Sequence, residues 1–527
     1  MFKSTLRSIC ITIALIGAMA LTSPGKAEKW SFGVMSDTQQ TISGGTNSVA
    51  TSIIAELNKQ FIAAGVHFVV QVGDLTNDGV GSLQTRLDAN KPLTDAGIAF
   101  FGLRGNHDDY ENQTRPFMSF FRDNYIPGTA GYSANSVDLP GLSVSVMPGT
   151  VNYSVTYNGT KLVLWDILAG KGTNATMDAA TTWVNNDLAS SEYEHAFFFS
   201  HKNFAGQNHK DTIFGNDTAS NGWTANPTQQ NNLYAALANN GVRYVMSGHD
   251  HMHYRALLES PNGQHTLNQL ICGSDSTKFY YPVNGYSNRE TPLAQQLGMI
   301  TYYIFTVNGD QVTVDAYATS HQGNATSNDG DIVANPTWVR VETFGYSNSG
   351  TSFLVAGGAN FNETNTSSFM DTTMTISGKN TSLTAMAGSQ TSPQAGRPLS
   401  REINIGWMAG GEGFASDILT IWGMEDISGT YANAHAVPTA PTALEFSLTL
   451  SFNPTLYTDV YMQCQDLNDD WHIVDGFTVD YVAGTVSALV SPGGMGVFAL
   501  GGTAVPEPAT MTFLALSGLA LLRRRRK

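Results

Sequence analysis

Apolar positions along the first three hundred residues fall into two patterns. Phe32–Ser36, His67–Val72 and Ile98–Leu103 are short, nearly continuous apolar runs, whereas Val49–Ala64 carries its apolar residues at helical spacing. The first pattern suits a strand covered on both faces, the second an amphipathic helix. Tyr153–Tyr157 and Lys161–Trp165 flank Asn158-Gly159, a pair that accepts the positive φ of a tight turn, so a hairpin is predicted there. Ala179–Leu188 and Gln229–Ala238 predict helices, and His195–Ser200 and Val242–Met246 predict strands. Thr266–Cys272, Tyr302–Val307 and Gln311–Ala318 then read as sheet with no helices between them. Strands alternating with helices and closing on antiparallel strands predict an α/β fold. Its expected form is a four-layer αββα sandwich, two mixed sheets packed face to face with helices outside.

Beyond about Ala334 helical periodicity fades. Gly, Ser, Thr and Asn punctuate short apolar runs such as Phe446–Phe452 and Asp459–Cys464, which predicts a β-rich, sandwich-like domain over about 340–503. Asn360–Ser368 reads as a loop, and the polar stretch Ser320–Asn335 as a linker or loop.

The two ends are addresses rather than fold. Lys3 and Arg7 precede an apolar run and then Gly25-Lys26-Ala27, the pattern of a signal peptide over residues 1–27 with Glu28 first after cleavage. Val505-Pro506-Glu507-Pro508, the apolar stretch Met511–Leu522 and the basic Arg523–Lys527 close the chain. In that order they resemble the PEP-CTERM sorting signal of Gram-negative bacteria, over residues 504–527. That resemblance implies export to the cell surface or beyond, recognition by an exosortase-type enzyme and removal of the tail.

Composition narrows the function. The 527 residues are 42% hydrophobic, so the chain is globular, yet only 13% are charged. A net charge of −16 argues against binding along a nucleic-acid backbone, which needs a basic face. An anionic substrate stays open, because bound cations reverse the local field. Of the three cysteines, Cys272 and Cys464 remain after the leader and form no CxxC pair. Two free thiols are expected, with a disulfide between them left open.

The informative feature is the set of residues that each apolar run leads into. Asp37-Thr38-Gln39, Gly73-Asp74, Gly105-Asn106-His107-Asp108, His201 and Gly248-His249-Asp250-His251 each come directly after a predicted strand. Ligands of open α/β sheets bind at the carboxyl ends of the strands, so these residues are expected to converge on one crevice. A mixed set of Asp, Asn and His suits Mn, Fe or Zn better than Ca. The expected use is a pair of divalent or trivalent cations about 3.5–4 Å apart that clamp a phosphoryl group.

The order of these motifs resembles the calcineurin-like metallophosphoesterase superfamily, with residues 28–325 as the catalytic domain. The resemblance implies that Asp37 and His251 hold one metal, that Asn106, His201 and His249 hold the second, and that Asp74 bridges them. His107 would face a phosphate-ester substrate, stabilise its charge and protonate the leaving oxygen. Asp108 would orient His107 or its loop, and water activated by the two metals would attack. Gln39 stands where the commonest pattern has His, which makes it a weaker ligand to the first metal. Asn77 stands where the purple acid phosphatase branch has a metal-bound tyrosine.

The implied function is an exported hydrolase of phosphomonoesters or phosphodiesters. In that reading the β-rich domain is a spacer or a module that binds an exopolysaccharide. The alternative is a non-catalytic surface or matrix protein using the same fold as a scaffold, in which the β-rich domain does the work. His195 and His209 compete with His201 for the lone-histidine position. His67 and His265 read as structural, and His253 as packing in preference to a place beside the substrate. Asp78, Asp109 and Asp250 are expected to be solvated loop carboxylates. Tyr110, Phe204, Trp223, Phe279, Tyr280 and Tyr281 are expected mostly in the core, with some walling a cleft.

Overall fold

A computed structural model describes residues 29–40, 48–77, 80–108, 139–166, 176–216, 225–283, 285, 287–322, 331–381, 396–426, 438–466 and 468–505, with Val137 and Met386. The leader, the tail beyond Val505, and Asp78, Asp109, Tyr110 and Trp223 lie outside the described residues.

Two mixed sheets face each other. The first contains β1 (Trp30–Met35), β2 (Phe68–Val72), β3 (Ala99–Leu103) and, later in the chain, Ile300–Asn308, Gln311–Thr319 and Val339–Ser347. β1, β2 and β3 are parallel neighbours, and the three later strands join antiparallel on the other side of β1. The second sheet has eight strands. Its centre is a parallel set of Thr160–Trp165, His195–Ser200, Val242–Ser247 and Thr266–Ile271. Asn158-Gly159 makes the expected turn, with φ of 43° and 73°.

Alternation along the strands builds the layers. In His195–Ser200, Phe197 and Phe199 enter the core between the sheets, while Ala196 and Phe198 face the other way. That second face is covered by the helices Met177–Ala189 and Pro227–Ala238 through Val184, Leu188, Leu233 and Leu237. Thr51–Ala64 covers the outer face of the first sheet, where the Phe61 ring meets Tyr302 edge-on at 5.4 Å. Both faces of the parallel strands are therefore dry, which is why their sequences are continuously apolar. The predicted four-layer αββα sandwich is present.

The β-rich part is two antiparallel sheets of six and five strands around one core that includes Ile405, Trp407, Leu448, Val486 and Phe498. Val339–Ser347, placed by sequence with this part, is instead the edge strand of the first sheet, paired with Gln311–Thr319. Its pairing partners lie before the polar stretch that read as a linker. Asn360–Thr366, expected as a loop, is also a strand. It is an edge strand with mostly exposed side chains, held by its ladder to Thr373–Lys379 and by Thr364–Thr375 and Thr366–Thr373 hydroxyl pairs.

Buried ion pairs tie the two parts together. Arg255 reaches Glu342 at 2.7 Å and Glu402 at 2.8 Å, and His253 Nε2 lies 2.9 Å from Glu342. His253, in the second sheet, is thus committed to Glu342 on the edge strand of the first sheet rather than to a substrate. Cys272 and Cys464 are both free thiols. Among the described residues no helix is long and apolar enough to cross a membrane.

Candidate metal centre

β1, β2 and β3 of one sheet, and His195–Ser200 and Val242–Ser247 of the other, all end at the same rim. The donors just past their ends are Asp37, Asp74, Asn106, His201 and His249. Backbone bonds hold the loops together there, from Thr38 N to Asp74 O (2.9 Å) and from Gly248 N to His201 O (3.0 Å). The sheets are joined across the gap by His249 N, which donates to both oxygens of Asp37 at 3.1 Å.

The chain turns sharply to do this. Asp37, Asp74, His249 and His251 all have positive φ, between 47° and 70°. Such a backbone costs on the order of 1 kcal/mol or more per residue and is found where the surroundings enforce it, typically at functional sites. Gly105 and Gly248 clear the space. A Cβ on Gly105 would collide with the carboxylate and backbone nitrogen of Asp74, and one on Gly248 with Ser36 Oγ and Asp37 Oδ2.

Two donor clusters share Asp74. Its Oδ2 accepts from Gln39 Nε2 at 2.9 Å, and its Oδ1 lies 3.3 Å from His201 Nε2 and accepts from His107 N at 2.9 Å. On the Oδ2 side, Asp37, Asp74 and His251 offer ligand atoms that all lie within 4.8 Å of one another. On the Oδ1 side, His201 Nε2 is 2.9 Å from Asn106 Oδ1, and the His201 and His249 rings are 5.1 Å apart.

The tautomers suit cations. His251 Nδ1 donates to Lys278 O (2.8 Å) and His201 Nδ1 donates to Val72 O (3.0 Å), so both Nε2 atoms point inward. Gln39 Oε1 is buried with no hydrogen-bond partner among the described residues, while Nε2 lies 3.2 Å from His251 Nε2. Turning that amide over would present an oxygen to the same point. The donor set therefore fits two cations, with the amide as the neutral member.

Ionisation follows burial and neighbours. Burial pushes the Asp37 carboxyl up to about 7, and Asp74 pushes the same way against the pull of His201. Asp74 is as buried, which alone would raise it, but the charge and hydrogen bond of His201 together with those of His107 hold it well below the usual carboxylate range. Burial would lower His201, yet the Asp74 carboxylate reverses this and holds it at about 9. Burial lowers His249 to about 4 and His251 well below its ordinary value, which leaves both imidazoles neutral.

Around the clusters, Asp108 is buried and accepts from Gly105 N (2.8 Å), Leu75 N (3.0 Å) and Thr76 N (2.8 Å). It clamps the loops of Asp74 and Asn106 together. Of its two expected duties, orienting the loop is the one these bonds perform. Asp250 corrects an expectation, being 0% exposed rather than solvated. It accepts from His209 Nδ1 (2.8 Å), Asn203 Nδ2 (2.7 Å) and Gln207 N (2.6 Å), and so braces the loop after His201. His195 is bound to Gly309 O (2.8 Å) at the far end of its strand, away from this rim. His209 lies in the loop after His201, and its ring packs 4.1 Å from His249. Asp211, which no sequence motif singled out, takes His249 Nε2 at 3.1 Å and Lys202 at 2.9 Å. No fixed spacing marks it, since it reaches His249 only through the folded loop. Phe204 and Phe279 are core residues, whereas Tyr280 and Tyr281 are half-buried near the rim.

Comparison with known proteins agrees in part. Residues 31–253 match the calcineurin-like phosphoesterase family, and residues 504–527 match the PEP-CTERM protein-sorting motif. No curated protein matches the chain. Similar solved structures include GAP50, the anchor in the inner membrane complex of Plasmodium. It is 14% identical with a TM-score of 0.36, over 58% of this chain and 90% of that one. A dimetal phosphatase from Danio rerio is 13% identical with a TM-score of 0.31, over 60% and 99%. Vps29 of Chaetomium thermophilum is 9% identical with a TM-score of 0.24, over 60% and 97%. The matches lend no support to an exopolysaccharide partner. All the donors of the rim, from Asp37 to His251, lie within the stretch that matches the calcineurin-like phosphoesterase family, and the sorting-motif match lies at residues 504–527.

Proposed function

We propose that this chain is an exported, metal-dependent hydrolase of phosphomonoesters or phosphodiesters. The observation that carries the reading is Asp74, which turns one oxygen to each donor cluster. Asp37, Gln39 and His251 would hold one cation, and Asn106, His201 and His249 the other, with Asp74 shared. The mixture of carboxylate, amide and imidazole suits Mn, Fe or Zn. When bound, the cations supply Lewis acidity, neutralising charge on the phosphoryl oxygens and acidifying water.

The chain's own residues do the rest. His107 stands partly buried at the rim, with its backbone fixed by Asp74, and would face the substrate and give a proton to the leaving oxygen. Asp108 and Asp250 hold the loops that carry the donors. The sorting motif supports export to the cell envelope or medium of a Gram-negative bacterium and recognition by an exosortase-type enzyme.

The test is a hydrolysis panel of phosphomonoesters and diesters with purified protein loaded with Mn, Fe or Zn. Turnover that is abolished by a chelator and restored by metal is expected. Metal that fails to bind, with no ester hydrolysed under any loading, would leave the scaffold alternative standing instead.

A further inference from the structure

Lys278 carries no sequence motif, yet the fold holds it against the centre. Its carbonyl accepts from His251 Nδ1 at 2.8 Å and from Ser274 Oγ at 2.6 Å. The half-buried side chain turns back so that Nζ lies 4.8 Å from the centroid of the Tyr280 ring. That ring in turn meets His251 and His209 edge-on, each at 4.9 Å. Among the described residues no carboxylate lies within ion-pair distance of the Lys278 ammonium, whereas the nearby Lys202 is paired with Asp211 at 2.9 Å.

We propose that Lys278 is a substrate-binding residue whose ammonium takes an anionic phosphoryl oxygen, and that it biases the site toward phosphomonoesters. The proposal rests on the phosphoesterase reading above. An ammonium set beside imidazoles with no counter-ion gains little in the free protein. An arriving phosphate supplies the counter-ion and a charge-assisted hydrogen bond. A phosphomonoester carries about −1.5 to −2 charge near neutral pH, while a diester carries only one. A cation additional to the two metals therefore favours the monoester.

The test uses the full metal-loaded protein with Lys278→Gln and Lys278→Arg. Substrates are 4-nitrophenyl phosphate and bis(4-nitrophenyl) phosphate, and inorganic phosphate serves as a competitive inhibitor. Lys278→Gln is expected to raise KM for the monoester and Ki for phosphate roughly 10- to 100-fold, the worth of one hydrogen bond to a charged group. Its kcat and its diester kinetics should change little, and Lys278→Arg should restore most of the loss. Metal content and melting should match wild type in both variants. Equal losses on both esters, or an unchanged Ki, would overturn the proposal. If wild type hydrolyses neither ester, the phosphoesterase reading fails separately. Calorimetric titration of the Mn-loaded protein with phosphate then decides Lys278 alone, and equal affinity in wild type and Lys278→Gln would refute it.

Discussion

Replacing Asp74 with asparagine removes one charge and turns one of two acceptor oxygens into a donor. In the metal-free protein the change is partly absorbed. Oδ1 can still accept from His107 N, while the new amide nitrogen can face Gln39, whose unpartnered Oε1 can turn in to accept. The metal-bound protein has no such escape, because an amide offers one oxygen where two clusters each need one. Substitutions of groups that merely support a ligand cost about 10–100-fold in metal affinity, so loss of the shared carboxylate should reach at least the upper end. With free Mn at 100 times its Kd, bound metal stabilises wild type by about 2.7 kcal/mol, and a 100-fold weaker site by about 0.4 kcal/mol. At roughly 2–4 °C per kcal/mol for a domain of this size, chelation should lower the wild-type Tm by about 5–10 °C. The same treatment should lower the variant's Tm by only about 1–2 °C. Scanning fluorimetry with and without chelator reads this difference, and the difference cancels whatever the substitution does to the metal-free fold. Equal decrements in wild type and Asp74→Asn, with equal metal content, would refute the shared-carboxylate reading.

His107→Ala should leave metal content unchanged and lower turnover by roughly 10²–10⁴, with a smaller loss on a nitrophenyl ester that needs no proton. Metal analysis beside steady-state kinetics checks this. Gly105→Ala forces a methyl into Asp74 and should cost about 1–3 kcal/mol through overpacking, with loss of bound metal; a wild-type melting curve and metal content would contradict it. The metal-free protein should lose stability as pH rises from about 6.5 to about 9, the window between the ordinary imidazole value and the raised one of His201, and level off above it. Asp37 adds a loss only up to about 7, where its raised carboxyl has ionised in the folded state as well. A melting temperature in chelator that stays flat over that range would count against the assigned ionisation. The iron-loaded protein should show no tyrosinate band, since Asn77 occupies the position of the colouring phenol, and visible spectroscopy decides it.

Much of the centre was legible because its chemistry is local. Each donor comes after an apolar run, and glycine stands directly before Asp74, Asn106 and His249, so strand, turn and ligand can be read within a few residues. Elements without that contrast were missed. Val80–Ala89 is less apolar overall than the helices that were read, Glu290–Gln296 carries Pro292 on an edge strand, and Asn360–Thr366 is polar apart from Phe361. His209, Asp211, Asp250 and Lys278 could not be placed from sequence because their partners belong to other loops. Sequence alone determined which residue types stand at the strand ends, and hence the family resemblance and the donors it implies. Tertiary structure decided that the ends of two separate sheets meet, through His249 N on Asp37. It also decided that two buried aspartates of identical chemistry part company. Asp37 is pushed toward protonation and Asp74 held ionised, because only Asp74 lies 3.3 Å from the His201 imidazole, and no sequence pattern encodes that distance.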